Sequence, residues 1–213
     1  MSRLRITEIF HSLQGESRSM GWPTAFIRLT GCPLRCGYCD TAYAFAGGEW
    51  MTIDHILNQV TGFGAHHVTV TGGEPLAQPD SLLLLTRLCD AGYEVSLETS
   101  GALDISAVDP RVIKVMDLKT PDSGEMKKNL YSNLAHLQAQ DQVKFVLCSR
   151  EDYDWAKDML LEYGIATRCE VLFSPSHGQL APRTLAEWIL SDHLPVRFQI
   201  QLHKILWGAE RGR

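Results

Sequence analysis

The chain has 213 residues, a formal net charge of −5 and six cysteines, a length that lets one domain bury its core without disulfide staples. Three cysteines cluster at positions 32, 36 and 39 and three stand alone in apolar stretches, so the sequence excludes a disulfide framework. The negative charge, without a lysine or arginine run, argues against nucleic acid as a partner.

The N-terminal segment and the longest apolar run bear on the cell compartment. The first 16 residues alternate apolar and polar side chains and contain no hydrophobic signal-peptide core. The longest apolar run, residues 82–85, is far below the ~18 residues of a membrane span. We therefore expect a cytoplasmic protein without a membrane partner.

Short β-rich runs alternate with longer helical patterns along the chain. The sequence predicts strands at 4–10, 24–29, 67–71, 94–98, 112–117, 142–147, 170–174 and 196–201. Helices, with apolar residues at i, i+3 and i+4, are predicted at 52–60, 80–91, 125–138, 150–163 and 182–191. Short strands joined by crossover helices predict a parallel sheet.

This order of elements predicts an α/β fold. A complete eight-unit barrel takes ~250 residues, so the shorter chain favours an incomplete, TIM-like βα barrel of about six units. The strand at 4–10 forms an N-terminal extension, and we expect one domain, residues 1–213. In such a barrel the active site lies in the loops at the C-terminal ends of the strands.

The loop after the second predicted strand carries Cys32, Cys36 and Cys39 in the spacing C-x3-C-x2-C. Three thiolates at this spacing can converge on one centre, and a 4Fe-4S cluster with three cysteine ligands keeps one iron open for a cosubstrate. In this strand-to-loop setting the motif resembles that of radical S-adenosylmethionine enzymes. The resemblance implies that the open iron binds the methionine amino and carboxylate groups, and that one electron then releases a 5′-deoxyadenosyl radical.

A structural zinc site is the alternative for this loop. Zinc takes four ligands, usually as two separated pairs, and the sequence has no second pair; His11 would have to be recruited from a different strand. Cys89, Cys148 and Cys169 are interpreted as small buried hydrophobic residues. A zinc-stabilised binding module therefore stays as a second hypothesis.

Three further polar loops follow predicted strands. In TGGEP, residues 71–75, glycines expose backbone groups and Glu74 can accept from an ammonium; in isolation the segment is a turn, but here it resembles the superfamily motif that holds the methionine amino group. ETSG at 98–101 offers a carboxylate and two hydroxyls to a ribose, or else caps a helix before Asp104. In DLKTP at 117–121, Lys119 either neutralises the methionine carboxylate or is an ordinary solvated lysine.

Motifs on both sides of the cysteine loop point to one family. SLQGE at 12–16, PTAFIR at 23–28, CPLRCGYCDT, TGGEP, ETSG and the later QLHK at 201–204 resemble the 7-carboxy-7-deazaguanine synthase family of queuosine biosynthesis. The resemblance is strong in the first half, whereas residues 123–168 carry little signature. It implies a lyase that converts 6-carboxy-5,6,7,8-tetrahydropterin to 7-carboxy-7-deazaguanine with loss of ammonia.

The resemblance also implies roles for individual residues. Gln14 would meet the pterin edge, Arg28 would pair with the substrate carboxylate, and Thr41 would bind Mg²⁺ through its hydroxyl while the substrate supplies further oxygens. A strand-end amide for Gln14 and a structural salt bridge for Arg28 are the alternatives. The implied substrate contacts are Leu13, Gln14, Gly15, Glu16, Arg28, Thr71, Ser174, Pro175 and His203. The implied S-adenosylmethionine contacts are Tyr38, Gly73, Glu74, Glu98, Ser100, Asp117 and Lys119.

The implied mechanism assigns no catalytic side chain with certainty, because the cofactor carries the hard chemistry. The radical takes a hydrogen from C6 of the pterin, the ring contracts, and ammonia leaves. The resemblance further implies a homodimer that is reduced by a flavodoxin-type electron donor. The nearest alternative is an activase that oxidises a glycine in a partner protein, but its members often carry extra cluster cysteines, which this sequence lacks.

Overall fold

The computed structural model describes residues 2–208 and 210–212, and its strands form one sheet. Within those residues the strands are β1 Arg3–Leu13, β2 Pro23–Leu29, β3 Glu49–Thr52, β4 His67–Gly72, β5 Glu94–Thr99, β6 Ile113–Asp117, β7 Gln142–Leu147, β8 Glu170–Pro175 and β9 Arg197–Phe198. The α-helices there are α1 Ile53–Gly62, α2 Ser81–Asp90, α3 Arg150–Tyr163, α4 Pro182–Asp192 and α5 Leu202–Trp207. No helix in this part of the chain has the length and apolar character needed to cross a bilayer.

The sheet is mostly parallel and open. Its order is β3-β1-β2-β4-β5-β6-β7-β8-β9, with every pairing from β2 to β9 parallel and with β1 antiparallel to both β2 and β3. In the described residues β3 and β9 each have one neighbour, so the sheet does not close into a full barrel. This confirms the predicted α/β fold with a parallel sheet and an N-terminal strand extension.

Side chains alternate between an apolar and a polar face of the sheet. On β4, Val68 and Val70 belong to the apolar core that the strands form with α1, α2, α3 and α4. Thr69 and Thr71 point to the opposite face, as the two-residue period of a strand requires. That second face is polar although much of it is buried. On it the hydroxyl of Thr69 forms a hydrogen bond of 2.8 Å with the hydroxyl of Ser96 on β5.

Two crossover helices have clear sequence determinants. Thr52 caps α1, because its hydroxyl accepts from the backbone N–H of His55 at 3.2 Å. Ser149 caps α3 in the same way, and Gly164 ends α3 in the left-handed conformation that glycine adopts without a steric penalty.

The predicted helix at 125–138 is wrong. Short 3-10 turns replace it, at Met126–Lys128 and Tyr131–His136. The side chain of Asn129 bonds to the backbone N–H and carbonyl of Lys119, and the amide of Asn133 donates to the carbonyl of Gly101. These bonds tie the segment to neighbouring loops, so tertiary contacts override its helical pattern.

The predicted strand at 196–201 is also too long, since β9 contains two residues. The backbone N–H of Gln199 still donates to the carbonyl of Phe173 on β8, but beyond it the chain turns into α5. The short elements β3 and α5 are absent from the sequence prediction, because four and six residues are too few to show a period.

Candidate active site

A cavity of about 340 Å³ lies at the carboxyl edge of the parallel strands. Its wall takes side chains from the ends of β1, β2, β4, β5, β6, β7 and β8, from the cysteine loop and from the start of α5. This volume suits a small-molecule ligand. The cavity is at the edge of the sheet where the sequence predicts the active site.

Nearly all of the residues that the sequence predicts for the site line this one cavity. They are Leu13, Gln14, Gly15, Glu16, Arg28, Cys32, Cys36, Tyr38, Cys39, Thr41, Thr71, Gly73, Glu98, Ser100, Asp117, Lys119, Ser174, Pro175 and His203. Glu74 is the exception, because its carboxylate is fully buried behind the wall.

The cysteine loop begins at Gly31, whose φ of 99° turns the chain sharply away from β2. Three partly buried thiols follow, and all three line the cavity. Cys32 accepts from the backbone N–H of Leu34 at 3.4 Å, and the backbone of Cys39 donates to the carbonyl of Cys36 at 3.2 Å. Burial raises the pKa of the Cys32 and Cys36 thiols above the ordinary value of 9.0.

The donor set of this loop fits an iron-sulfur cluster. Sulfur ligands without a second cysteine pair suit a three-cysteine 4Fe-4S site. Across residues 2–208 and 210–212, no group of three His, Cys, Asp or Glu side chains is already assembled at metal-binding distances. Gly73 lies against the loop: a Cβ there would come within 2.6 Å of the carbonyl carbon of Gly31 and 2.8 Å of the Cβ of Cys32. The loop and the TGGEP turn are therefore packed as one unit.

The carboxylate of Glu74 lies behind the cavity wall and accepts hydrogen bonds from residues of the wall loops. It accepts from the hydroxyl of Thr99 at 3.0 Å, from the backbone N–H of Ser100 at 2.7 Å and from that of Leu76 at 3.0 Å. The expected bond from an ammonium to Glu74 is therefore not supported by its position. Instead the carboxylate holds the ETSG loop in place, so that Ser100 lines the cavity.

Lys119 is buried beside the thiols, where it groups with the partly buried Asp117 and Tyr38. Lys119 Nζ lies 3.0 Å from Asp117 Oδ2 and 5.7 Å from the centre of the Tyr38 ring. Burial alone would lower the pKa of Lys119, but the Asp117 carboxylate and the nearby Cys36 together outweigh it, and the net pKa is raised. Lys119 is 8% exposed, which excludes an ordinary solvated lysine.

Two polar atoms of this group lack partners. Among the described residues, Asp117 Oδ1 and the Tyr38 hydroxyl are buried without a hydrogen bond. Buried polar atoms are almost always hydrogen-bonded, so these two are available to a ligand with polar groups. Their position beside the cysteines fits S-adenosylmethionine.

The SLQGE segment forms the opposite side of the cavity. The side-chain amide of Gln14 donates to Thr69 at 3.0 Å and accepts from the backbone N–H of Glu16 at 3.1 Å, so it is held within the protein as a strand-end amide. Gly15 is required by close packing, because a Cβ there would overlap Nδ1 of His203. Glu16 extends into the cavity wall and keeps a carboxylate there.

The guanidinium of Arg28 forms a salt bridge through Nε, and its two terminal nitrogens form an open fork. Its Nε donates to Glu8 Oε1 at 2.6 Å, and the hydroxyl of Tyr43 donates to the same oxygen at 2.7 Å. The guanidinium lies near the rings of Phe10 and Tyr43, at 5.8 and 6.0 Å. Its terminal nitrogens make no hydrogen bond to the residues that the structure describes. The structural salt bridge to Glu8 therefore occupies Nε alone, and the anion-binding role of the terminal nitrogens stays a prediction.

Thr41 lies beside two charged groups. Its hydroxyl donates to Asp40 Oδ1 at 2.9 Å, and Lys204 Nζ lies 3.1 Å from Asp40 Oδ2. Burial alone would raise the pKa of Asp40, but Lys204 outweighs it and the net pKa is lowered. These oxygen donors share the cavity with Arg28.

Several wall residues escaped the sequence analysis. They are Phe10, Phe26, Leu34, Phe45, Val115, Lys144, Val146, Ser176 and His177. Lys144 has the clearest signal in the sequence, because it interrupts the apolar residues of the predicted strand 142–147. Its role depends on neighbours that the sequence does not reveal.

Comparison with known proteins identifies the family of the chain. The profile of the radical SAM superfamily matches residues 26–118. The chain is 49% identical to 7-carboxy-7-deazaguanine synthase of Chlorobaculum tepidum over 97% of this chain and 96% of that one. It is 40% identical to 7-carboxy-7-deazaguanine synthase of Koribacter versatilis over 97% and 98%.

A solved structure has the same fold. QueE from Escherichia coli superposes with a TM-score of 0.79 and 24% identity, over 94% of this chain and 95% of that one. The zinc-stabilised module and the glycine-oxidising activase, the alternatives left open by the sequence, find no support in these matches. With near-complete coverage at up to 49% identity among the relatives named here, the chain belongs to the 7-carboxy-7-deazaguanine synthase family of the radical SAM superfamily.

Proposed function

We propose that this protein converts 6-carboxy-5,6,7,8-tetrahydropterin to 7-carboxy-7-deazaguanine with release of ammonia. The observation that carries the proposal is the meeting of a three-thiol loop and the open guanidinium fork of Arg28 in one cavity. The thiols suit the radical cofactor, and the fork suits a carboxylated substrate. The names of the relatives give the product.

The cofactor side is formed by the cysteine loop and its neighbours. Cys32, Cys36 and Cys39 would hold the 4Fe-4S cluster. When bound, the cluster and S-adenosylmethionine supply a 5′-deoxyadenosyl radical that can take hydrogen from C6 of the pterin. Asp117 Oδ1 and the Tyr38 hydroxyl can bond to polar groups of the cosubstrate, because both are buried without partners among the described residues.

The cosubstrate's methionine carboxylate needs a cation nearby. Lys119 is suited to that task, since it is buried, positively charged and a wall residue. Gly73 lines the cavity beside the loop, and Ser100 and Glu98 offer a hydroxyl and a carboxylate to the ribose of the cosubstrate. The residues proposed here to contact the cosubstrate differ from those proposed below to contact the pterin.

The substrate side is formed by SLQGE and Arg28. The terminal nitrogens of Arg28 would bind the pterin carboxylate as a bidentate pair. Glu16 is a carboxylate acceptor, and the 2-amino-4-oxo-pyrimidine edge of a pterin presents N–H donors to such a group. Thr71, Ser174, Pro175 and His203 complete this side.

The proposal includes Mg²⁺ because oxygen atoms that can act as metal ligands lie near the substrate side of the cavity. Thr41 would contribute its hydroxyl, and Asp40 lies beside it. A neutral hydroxyl alone binds Mg²⁺ weakly, so substrate oxygens are needed to complete the site. The protein's part would be to keep the metal and the substrate carboxylate together during ring contraction.

Further properties that the sequence or the family resemblance implies stay predictions. They are the homodimer, the flavodoxin-type electron donor, the cytoplasmic location, the single domain over 1–213 and the description as about six βα units. Light scattering of the purified protein tests the first of these. Reduction of the cluster by a purified flavodoxin tests the second.

The deciding experiment is a reaction under anaerobic conditions. The reconstituted protein is incubated with 6-carboxytetrahydropterin, S-adenosylmethionine and reductant, with the Cys36→Ala variant as control. We expect 7-carboxy-7-deazaguanine and ammonia in equal amounts from the parent protein and neither from the variant. Cosubstrate cleavage without any deazapurine would overturn the substrate assignment, and a colourless, zinc-loaded protein would overturn the radical chemistry.

A further inference from the structure

Lys144 comes from the segment of the chain that carries little family signature. It lies on β7, between β6 and β8, and its side chain is 13% exposed in the cavity wall. Its position on the polar face of the sheet places an ammonium group in the middle of the site. The sequence analysis gives this residue no role.

The ammonium of Lys144 joins the two sides of the cavity. Nζ lies 2.7 Å from Oε2 of Glu16, on the SLQGE side, and 3.6 Å from Oδ2 of Asp117, on the cofactor side. Asp117 in turn lies 3.0 Å from Lys119. A continuous chain of charges therefore runs from the substrate segment to the group beside the thiols.

Glu16 is held at both oxygens and still faces the cavity. Oε1 accepts from the side chain of Gln201 at 2.9 Å, and Oε2 accepts from Lys144. An ionised carboxylate has about four acceptor sites, so two donors leave capacity for a ligand. A carboxylate fixed in this way can receive paired N–H donors from a ligand edge.

A buried lysine elsewhere in the sheet shows the contrast. Lys114 on β6 is paired with Asp141 at 3.0 Å, and both side chains are almost completely buried. That pair lies outside the cavity wall and fixes β6 to the loop before β7. The pair between Lys144 and Glu16 is instead part of the wall, so one of its partners is open to a ligand.

We propose that Lys144 is a positioning residue that holds Glu16 as an oriented, charged acceptor for the amino-pyrimidine edge of the pterin. Through Asp117 it also fixes the substrate side of the cavity relative to the cofactor side. This inference rests on the proposed function. It assigns substrate positioning, with no direct part in the chemistry, to a residue outside every motif.

The main test is pterin binding to the anaerobic protein that carries its cluster and S-adenosylmethionine, without reductant. Lys144→Met leaves Glu16 in the wall without its cationic partner, and we expect the Kd for the pterin to rise about 30-fold. Lys144→Arg keeps the charge and is expected to restore Kd to within about fivefold of the parent protein. Cluster absorbance should stay at the parental level, because Lys144 contacts none of the three thiols.

Lys114→Met is the matched control. It removes a buried lysine from the neighbouring strand, so it should lower the melting temperature while Kd changes by less than about twofold. Lys144→Gln is included in case the methionine variant does not fold. It keeps a hydrogen-bond donor to Glu16 without the charge, and about tenfold weaker pterin binding is expected.

A double-mutant cycle separates positioning from a general structural effect. In a Glu16→Gln background, Lys144→Met should change Kd by less than about twofold, because its effect passes through Glu16. Equal effects in both backgrounds, or an unchanged Kd in the single variants, would overturn the proposal. If the parent protein binds and converts no pterin, the proposed function fails instead, and turnover by the parent distinguishes the two outcomes.

Discussion

The carboxylate of Glu8 contacts Nε of Arg28 at 2.6 Å, and the terminal nitrogens of the guanidinium make no hydrogen bond to the residues that the structure describes. The two residues are cross-strand partners on β1 and β2, and their alignment follows an irregularity in β1 between Ile6 and Glu8. Burial alone would lower the pKa of Arg28, but Tyr43 and Glu8 outweigh it, and the net pKa is raised. Arg28 is therefore a fixed cation with an unused fork.

The first prediction concerns this fork. Arg28→Ala should weaken pterin binding by about 2–5 kcal/mol, because the substrate carboxylate loses its charged partner in a desolvated site. Cosubstrate cleavage without substrate should persist, since the cysteine loop is unchanged. Equilibrium binding of the pterin and an assay for 5′-deoxyadenosine measure the two effects. Unchanged pterin affinity would remove Arg28 from carboxylate recognition.

The second prediction concerns the cluster. The reconstituted protein should be brown and bind about four irons per chain at one site, and Cys36→Ala should lose both colour and iron. Cys89→Ala is the matched control, because Cys89 lies on α2 away from the cavity. Iron analysis and visible absorption measure the outcome. A cluster that survives in Cys36→Ala would show that this thiol is not a ligand.

The third prediction uses the tight packing of Gly73. An alanine Cβ would come within 2.8 Å of the Cβ of Cys32 and closer still to Gly31, so Gly73→Ala should displace the cysteine loop and impair cluster retention. Gly62→Ala in α1 is the control, since a Cβ there meets nothing within 4 Å. That variant should be neutral or more stable by up to about 1 kcal/mol. Iron content and thermal unfolding of both variants decide the matter; normal iron in Gly73→Ala would contradict the packing argument.

The fourth prediction is that Mg²⁺ accelerates turnover and that Thr41→Ala reduces this dependence without loss of the cluster. Because one hydroxyl is a weak ligand, Mg²⁺ should bind more tightly when the pterin is present. Titration of Mg²⁺ into the protein with and without the pterin measures the difference. Equal affinity in both titrations, or full activity in chelator, would exclude Thr41 from the mechanism.

The fifth prediction concerns pH. Burial alone would raise the pKa of Glu16, but Lys144 outweighs it and the net pKa lies below the ordinary 4.5. Because the folded-state pKa is depressed, the stabilisation from ionised Glu16 is present above about pH 4.5 and is lost as the pH falls through the lower, folded-state pKa. The charged groups that face Glu16 are Lys144, Asp40 and His203.

Removing Lys144 should reverse this pH behaviour. In Lys144→Met the burial of Glu16 remains while its main compensating charge is gone, so the pKa of Glu16 should rise. Pterin affinity of the variant should then fall as the buffer is changed from about pH 7 to about pH 5, whereas the parent protein should keep its affinity. Parallel binding curves over this range would contradict the assignment.

Parts of the fold with strong local patterns are predictable from the sequence. The buried strand Gln142–Leu147 and the capped helix Arg150–Tyr163 have the predicted bounds, because their patterns and caps are local. The segment at 125–138 has a helical pattern but does not form a helix, since Asn129 and Asn133 bond to loops distant in sequence. Local spacing contains no information about such partners.

The same distinction applies to the site. Motif residues such as Cys36 and Arg28 are recognisable because their chemistry and spacing are unusual. Lys144 is not, since its function depends on Glu16, which lies 128 positions earlier in the chain. Glu74 has a recognisable motif, but its carboxylate bonds to Thr99 and Ser100, and only the tertiary structure reveals this orientation.

The contact between Gln201 and Glu16 has a consequence for biosynthesis. Leu202 also donates from its backbone to the carbonyl of Gly15, so the SLQGE segment is complete only when these late residues are in place. The two partners are 185 positions apart, and ribosomes add about 5–20 residues per second. The nascent chain therefore spends on the order of ten seconds or more without these two contacts, and a chain truncated before Gln201 lacks both of them.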